Sequence, residues 1–310
     1  MKNVKTEKLT EIITILDILR WSSSKFNSVP ICYGHGTDNF WDETLHLILS
    51  GLNLPINIPT EMYHARLTTK ERNKLIQLVF RRIIQRVPVP YLVNKAWFCG
   101  LEFYVDKRVF IPRSPISELI MSCFHNILPD KPHRILDIGT GSGCISIAIA
   151  MTNPNAIIDA VDISIDALKI AEKNIKYYNL ENRITPIHSD IFSNILKLKY
   201  DLIITNPPYV NSTDIYKLPK EFLYEPIIAL SANKKGLSII NKILKNAIHH
   251  LNQNGILICE VGVAKTALIE HYPNVPFQWL QFTNGGENVF MLNYEQILSF
   301  HYHTFTMRNI

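Results

Sequence analysis

Apolar positions recur along the chain with two periods, and the change from one to the other divides it. Residues 1–88 read as helical. In the opening stretch, MKNVKTEKLTEIITILDILRW, Ile12, Leu16 and Leu19 fall at helical spacing, with Thr14 and Asp17 breaking the apolar face. A second helix is predicted over DNFWDETLHLILSGL, with Asp38 as its N-cap. The third, TTKERNKLIQLVFRRIIQRV, carries Leu75, Val79 and Ile83 four residues apart beside Ile76, Phe80 and Ile84. Thr68 or Thr69 caps it, and Pro88 and Pro90 terminate it. Lys70, Arg72, Lys74, Arg81, Arg82 and Arg86 load its remaining faces, either as a solvated surface or as one that meets a polyanion. Aromatic and β-branched residues then surround Gly100, with a second turn signal at Asp106 and Lys107, which predicts a β-hairpin within 91–112. From about residue 133, short apolar runs (RILDIG, AIIDAVDI, ITPIHSD, DLIITN, GILICEVG, WLQF, VFMLNY) alternate with helical segments. That alternation specifies an α/β fold, a mostly parallel sheet with helices on both faces. The predicted organisation is a helical domain over 1–90, a hairpin connector over 91–116 and an α/β domain over 117–310.

Composition narrows the class of protein. Of 310 residues, 47% are hydrophobic and 19% charged, the balance of a globular protein. The N-terminus lacks the apolar core and small-residue cleavage site of a signal peptide, and no apolar run approaches the length of a membrane span, so a cytoplasmic protein with no membrane partner is expected. Five cysteines are scattered without a C-x-x-C pair, and histidines such as His249, His250, His301 and His303 lack partners at ligand spacing; no metal is expected. A net charge of +5 suits a nucleic-acid or ribonucleoprotein environment, and equally an ordinary enzyme.

Candidate chemistry sits at the ends of the apolar runs. The first ends in DIGTGSGCIS, residues 137–146, where Gly139, Gly141 and Gly143 permit a tight turn and close approach of a ligand to the backbone. A dinucleotide fingerprint would need glycine where Cys144 stands, and no phosphate-binding G-x-x-x-x-G-K-[ST] is present. The pattern is D-x-G-x-G-x-G, bringing Asp137, Thr140 and Ser142 along with the glycines. The second run ends at Asp162, and 162 − 141 = 21 residues past Gly141 is one strand–helix–strand unit, where an acid can accept from both hydroxyls of a ribose or cap the next helix. Asp190 ends the third run, as a turn residue or as a group beside a base. The fourth exits through TNPPYV, where Pro207 and Pro208 contribute carbonyls without N–H groups, so from Asn206 onward the turn offers more acceptors than donors.

Together, D-x-G-x-G-x-G, the acid after the second strand and Asn206-Pro207-Pro208-Tyr209 resemble the S-adenosylmethionine-dependent methyltransferases over roughly residues 117–295. The resemblance implies a seven-stranded Rossmann-like fold and S-adenosylmethionine as cofactor, bound through Asp137, Gly139, Thr140, Gly141, Ser142, Gly143, Asp162, Asp190 and Asn206. It also implies methylation of a nitrogen conjugated to a planar group: a base amino group or a glutamine amide. On that chemistry the Asn206 side-chain carbonyl and the Pro207 backbone carbonyl hold the NH₂, Pro208 stiffens the turn, and Tyr209 offers a face to the planar group. VFIPRSPISELI (109–120) and YEPIIALSANKKGLSIINKIL (224–244) resemble the protein-glutamine methyltransferases. P-R-S-P at Pro112 to Pro115, the long helical N-terminal region and NGGENVF (284–290) resemble the branch acting on large-subunit ribosomal protein three, which implies that protein, free or in an RNA-bound assembly intermediate, as partner and the 1–90 region as its recognition domain. Ile191 departs from an aromatic common among relatives beside adenine, and Asn288 interrupts a G-G-x-G-V-F pattern. A release-factor enzyme, a nucleic-acid amino methyltransferase and a non-enzymatic assembly factor are the alternatives.

Overall fold

The computed structural model describes residues 9–125, 127–128, 132–195, 198–233, 235–283 and 285–302; the first residues of the expected opening helix, Lys234, Asn284 and His303 lie outside them. The chain forms two compact units. One comprises Met1–Lys95 with Pro219–Tyr224, the other Ala96–Leu218 with Glu225–Ile310.

The first unit is helical: α1 (Ile15–Asn27), α2 (Phe40–Gly51), α3 (Thr69–Phe80) and the short α4 (Val89–Val93). Thr14 and Asp17, which break the apolar pattern, are what start α1. The Thr14 hydroxyl accepts from the Asp17 N–H at 3.2 Å and the Asp17 carboxylate accepts from the Thr14 N–H at 2.8 Å, a capping box. Ile12 therefore packs from ahead of the helix, and Leu16 faces out. Asn39, not Asp38, caps α2, because its side-chain oxygen reaches the Asp42 N–H at 2.9 Å. Thr68 caps α3 in a second capping box with Glu71. Beyond Phe80 the helix does not run on to the prolines. It widens into a π-type turn over Arg81–Gln85 and closes on Arg86, whose φ of 66° reverses the chain.

The widened turn corrects the expected basic surface at Arg82, which is 1% exposed. An extra residue in the turn changes the direction of the side chains beyond it relative to a regular helix. Here the Arg82 guanidinium is carried inward to Glu43 (Nε–Oε1 2.5 Å), Glu221 (Nη1–Oε1 3.2 Å) and the Cys32 carbonyl (Nη2–O 2.7 Å). Glu221 also accepts from the Cys32 N–H at 3.0 Å, and Tyr224 donates its hydroxyl to the Gln85 carbonyl at 2.6 Å. These bonds fasten Pro219–Tyr224 to the helices.

In the second unit, β1 (Ala96–Phe98) and β2 (Leu101–Phe103) form the predicted hairpin, joined by Cys99 and Gly100 at φ 51° and 74°, the left-handed pair that a two-residue turn needs. After α5 (Ile116–Met121) the chain alternates: β3 (Arg134–Ile138), α6 (Cys144–Thr152), β4 (Ile157–Asp162), α7 (Ile165–Tyr177), β5 (Ile184–His188), β6 (Tyr200–Thr205), β7 (Val210–Asn211), α8 (Ile227–Leu230), β8 (Ser231–Ala232), α9 (Ser238–Asn246), β9 (Leu251–Glu260), α10 (Lys265–His271), β10 (Gln278–Trp279), β11 (Val289–Asn293) and α11 (Tyr294–His301). Seven strands make one sheet in the order β10-β11-β9-β6-β3-β4-β5. The five from β9 to β5 run parallel; β11 lies antiparallel to β9, and β10, antiparallel to β11, runs in the direction of the five. Leu136, Ile138, Ile203 and Leu257 are buried in the core with apolar side chains from α9 and α11, as continuous apolar runs require of strands covered on both faces. From β3 the chain winds outward through β4 and β5, then crosses back to β6 on the other side. That switch point, at the carboxyl ends of β3 and β6, is where an open α/β sheet holds its ligand.

The buried Arg82 gives a test. Arg82→Met leaves Glu43 and Glu221 without their shared cation, and urea unfolding at pH 7 should show a loss of about 3–5 kcal/mol. Glu221 keeps Arg86 at 3.6 Å, but Glu43 is stranded and takes up a proton in the fold above its ordinary range, so the loss should grow as pH rises from about 4.5. An unfolding midpoint equal to wild type at pH 7 would contradict the assignment of Arg82 to the interior.

Candidate active site

The loop after β3 is folded by its glycines. Gly139, Gly141 and Gly143 have φ of 75°, 56° and 80°, and the Gly139 and Thr140 N–H groups both donate to the Val161 carbonyl, at 2.8 and 2.9 Å. A β-carbon at Gly139 or Gly141 would meet no side chain, only a backbone carbonyl at an ordinary contact distance of 3.9 or 4.0 Å. The two thus form a bare backbone cradle. Gly143 is different: a β-carbon there would press on Ala171 and Ile147 at 3.4 Å, so its role is packing of α6 on α7 as well as the turn.

Asp137 is fully buried beneath this loop. One oxygen accepts from the Thr140 and Ser146 hydroxyls at 2.7 and 2.6 Å; the other has no partner among the described residues. Burial pushes its carboxyl up to about 6. Ser142 is buried, and its carbonyl accepts from Asn174 at 2.8 Å. Ser146 and Asn174 escape a motif search; their one cue is a polar residue on an apolar helix face.

Asp162 ends β4 and holds two loops at once: Oδ2 accepts from the Gly141 N–H at 2.9 Å and Oδ1 from the Ser164 N–H at 2.8 Å. The cap of α7 is Ser164. Burial raises the Asp162 carboxyl, against those backbone hydrogen bonds. Each of its oxygens keeps a lone pair for a further donor. Asp190, after β5, is exposed and paired with Lys242 at 2.9 Å. The adjoining Ile191 is buried with φ 58°.

β6 delivers Asn206 beside the cradle. The Thr205 hydroxyl donates to the Ile138 carbonyl at 2.8 Å, tying the two strand ends together, and the Asn206 carbonyl lies 3.9 Å from where a Gly139 β-carbon would stand. Asn206 is half-buried, and among the described residues none hydrogen-bonds its carboxamide. Tyr209 is gripped from two sides. A β-carbon on Gly262 would fall 2.2 Å from its ring, and one on Gly236 would fall 2.3 Å from its carbonyl oxygen, so both positions require glycine. The Tyr209 hydroxyl donates to Glu260 Oε1 at 3.2 Å, and the Ser114 hydroxyl donates to Glu260 Oε2 at 2.5 Å. Glu260 ends β9, next to β6 in the sheet, and burial pushes its carboxyl up to about 6.

The stretches that begin 109–120 and 224–244 prove to be bonded to each other. Arg113 grips Glu225 with both terminal nitrogens at 2.7 Å, and Glu225 also accepts from the Ile111 N–H at 3.0 Å. Pro115 packs on Gly286, where a β-carbon would come within 2.8 Å, so part of 284–290 abuts the P-R-S-P turn. Asn288 takes part through its backbone carbonyl, which accepts from the Val261 N–H at 2.8 Å; the residue type there is of little consequence. Glu225 and Glu260 are the functional candidates that sequence reasoning passed over. Glu260 had a cue, an acid closing an apolar strand just as Asp162 does. Among the described residues, no group of three or more His, Cys, Asp or Glu could hold a metal ion.

This geometry can be set beside known proteins. A family model described as the methyltransferase small domain matches residues 114–233. A curated protein from Francisella tularensis subsp. tularensis (strain SCHU S4 / Schu 4), named ribosomal protein uL3 glutamine methyltransferase, is 42% identical over 294 residues, covering 94% of this chain and 94% of its own. One of the same name from Neisseria gonorrhoeae (strain ATCC 700825 / FA 1090) is 42% identical over 290 residues, covering 93% and 97%. Among solved structures, the hMettl16 catalytic domain in complex with MAT2A 3'UTR hairpin 1 superposes with a TM-score of 0.50 at 15% identity, over 89% of this chain and 91% of that one, a likeness of fold. With a seven-stranded methyltransferase sheet, the Asn-Pro-Pro-Tyr turn at its switch point and this identity along nearly the whole chain, the protein belongs to the ribosomal protein uL3 glutamine methyltransferase family.

Proposed function

We propose that this protein methylates the side-chain amide nitrogen of a glutamine in ribosomal protein uL3, the large-subunit protein three, with S-adenosylmethionine as donor. The observation that carries the reading is the turn at the end of β6. Asn206 has an uncommitted carboxamide beside an open glycine cradle, and the carbonyl of Pro207 comes next in the chain. The residues suit the donor: a backbone cradle at Gly139 and Gly141 that admits close approach, and an acid at Asp162 with lone pairs left for hydroxyls. When bound, S-adenosylmethionine supplies an electrophilic methyl on a positively charged sulfur.

The chain's own contribution is placement and charge. An amide nitrogen is a weak nucleophile because its lone pair is delocalised. Two acceptors, Asn206 Oδ1 and the Pro207 carbonyl, hold its N–H groups and turn the lone pair toward the methyl. With the donor bound, the methyl–sulfur bond would break as the N–C bond forms, leaving a neutral thioether, and the same acceptors would stabilise the positive charge that passes to the nitrogen. The nitrogen then sheds a proton, so no strong base is needed at the transfer step. Tyr209 supplies the surface on which the amide plane lies. None of these groups can tell one glutamine from another, so we assign recognition of uL3 to the helical region 1–90 and catalysis to 117–310. A substrate of this kind places the enzyme in the cytoplasm. If it is met on RNA, the exposed basic residues within 70–87, without the buried Arg82, are the contact, and activity on that intermediate should fall with salt.

The experiment offers uL3, a release factor, duplex DNA and transfer RNA to the enzyme with labelled donor. Label should enter a uL3 glutamine; label chiefly in a release factor or a nucleic acid would overturn the assignment. Asn206→Ala should leave donor affinity nearly intact and lower turnover by roughly 10²–10³-fold, with Asn206→Asp less damaged because it keeps an acceptor. Asp162→Ala should weaken donor binding about 10- to 100-fold by calorimetry, the value of one or two charge-assisted hydrogen bonds. An unchanged dissociation constant would confine Asp162 to holding the Gly141 and Ser164 backbones.

A further inference from the structure

Glu260 takes no part in the proposed chemistry, yet its carboxylate lies one hydrogen bond from Tyr209. We propose that Glu260 is a positioning residue for methyl transfer, fixing the Tyr209 ring on which the substrate amide rests and itself held in place by Ser114. The inference rests on the proposed glutamine chemistry only for its effect on turnover.

The Tyr209 ring has a floor and a tether. Its floor is the bare backbone of Gly262, closer than any side chain would allow. The tether is the bond from its hydroxyl to Glu260 Oε1, and Glu260 is secured from its other side by Ser114. Floor and tether together fix the position and tilt of the ring, which neither does alone. A carboxylate suits this position better than any neutral side chain. It is acceptor-only, so both hydroxyls must donate, and neither can rotate to an alternative partner without leaving a buried acceptor unmet. An amide would present its NH₂ to one of the hydroxyls and loosen the arrangement.

Stability gives no reason to keep an acid here. Glu260 is 5% exposed, and its raised carboxyl reports the cost of ionising it in that setting. Among the described residues its hydrogen-bond partners are two neutral hydroxyls; the Arg113 guanidinium favours its charge from nearby but is itself committed to Glu225, and it does not overcome the cost of burial. A buried charge retained at a cost, one bond from the candidate substrate platform, is the pattern of a group kept for geometry. Ser114 extends the chain of restraint to the P-R-S-P turn, which Arg113 anchors to Glu225. This gives Ser114 a role of its own in that turn.

The test compares wild type, Glu260→Gln, Ser114→Ala, Tyr209→Phe and the Glu260→Gln/Tyr209→Phe pair, with two readouts. The first is the ring itself, by spectra of ¹³C-ring-labelled tyrosine in the full chain, with Tyr209→Phe assigning the signal. In Glu260→Gln the Tyr209 Cζ signal should shift and broaden, and in Ser114→Ala it should move the same way by less. This readout needs no substrate, so it stands whatever the enzyme methylates. The second is kinetic: Glu260→Gln should lower kcat roughly 10- to 100-fold with KM for donor and acceptor within about twofold, the penalty of a misplaced reactant. The double variant should be no slower than the worse single one, since both cut the same link. A Tyr209 signal identical in wild type and Glu260→Gln overturns the proposal. So do losses that multiply in the double variant. A wild type with the expected ring signal but no label in any glutamine would instead sink the glutamine chemistry.

Discussion

The parallel pairing of Arg134–Ile138 with Tyr200–Thr205 is the constraint on which the site depends. Two adjacent parallel strands whose chains depart to opposite sides must release both following loops at one edge, and here the edge is closed by the Thr205 hydroxyl on the Ile138 carbonyl. The glycine cradle and Asn206 are neighbours because of that junction. On the proposed chemistry the two are complementary: one loop offers bare backbone to the methyl donor, and the other offers acceptors to the NH₂ of the substrate.

Around this junction the loops are held by carboxylates, three of them buried and Asp162 half-buried, rather than by regular structure. Asp137 supports the first loop through Thr140 and Ser146, Asp162 latches it to the next, Glu225 locks the P-R-S-P turn through Arg113, and Glu260 joins that turn to Tyr209. Acceptor-only groups suit the task because the groups they hold here are N–H and hydroxyl donors. There is a cost. Burial pushes the Asp137 and Glu260 carboxyls up to about 6, so the folded chain holds those protons after the unfolded chain has released them. Their contribution to stability is therefore fully present below the ordinary carboxyl range and is lost as pH climbs through about 6.

Much of this was legible in the sequence. The alternation of apolar runs specified the parallel sheet, and glycine spacing with Asp162 located the cradle. The paired prolines after Asn206 marked the acceptor-rich turn, since proline's missing N–H is a local property. What escaped was long-range or irregular. Arg82 reads as one more charge on a basic helix until a π-type turn, which no apolar period reveals, carries it inward to Glu43 and Glu221. Thr14 and Asp17 look like interruptions because a capping box uses the same residues that break a helix pattern. Glu225 and Glu260 take their meaning from Arg113, Ser114 and Tyr209, between 51 and 146 residues away for the side-chain bonds, distances over which a linear motif carries no signal.

The central claim is that the Asn206–Pro207 acceptors serve a glutamine of uL3, and mass spectrometry of ribosomal proteins tests it most directly. uL3 from cells lacking this enzyme should be lighter by one methyl group on a single glutamine. The methyl should return with the wild-type gene and stay absent with Asn206→Ala. A uL3 of unchanged mass, with the missing methyl found on a release factor or on RNA, would contradict the account.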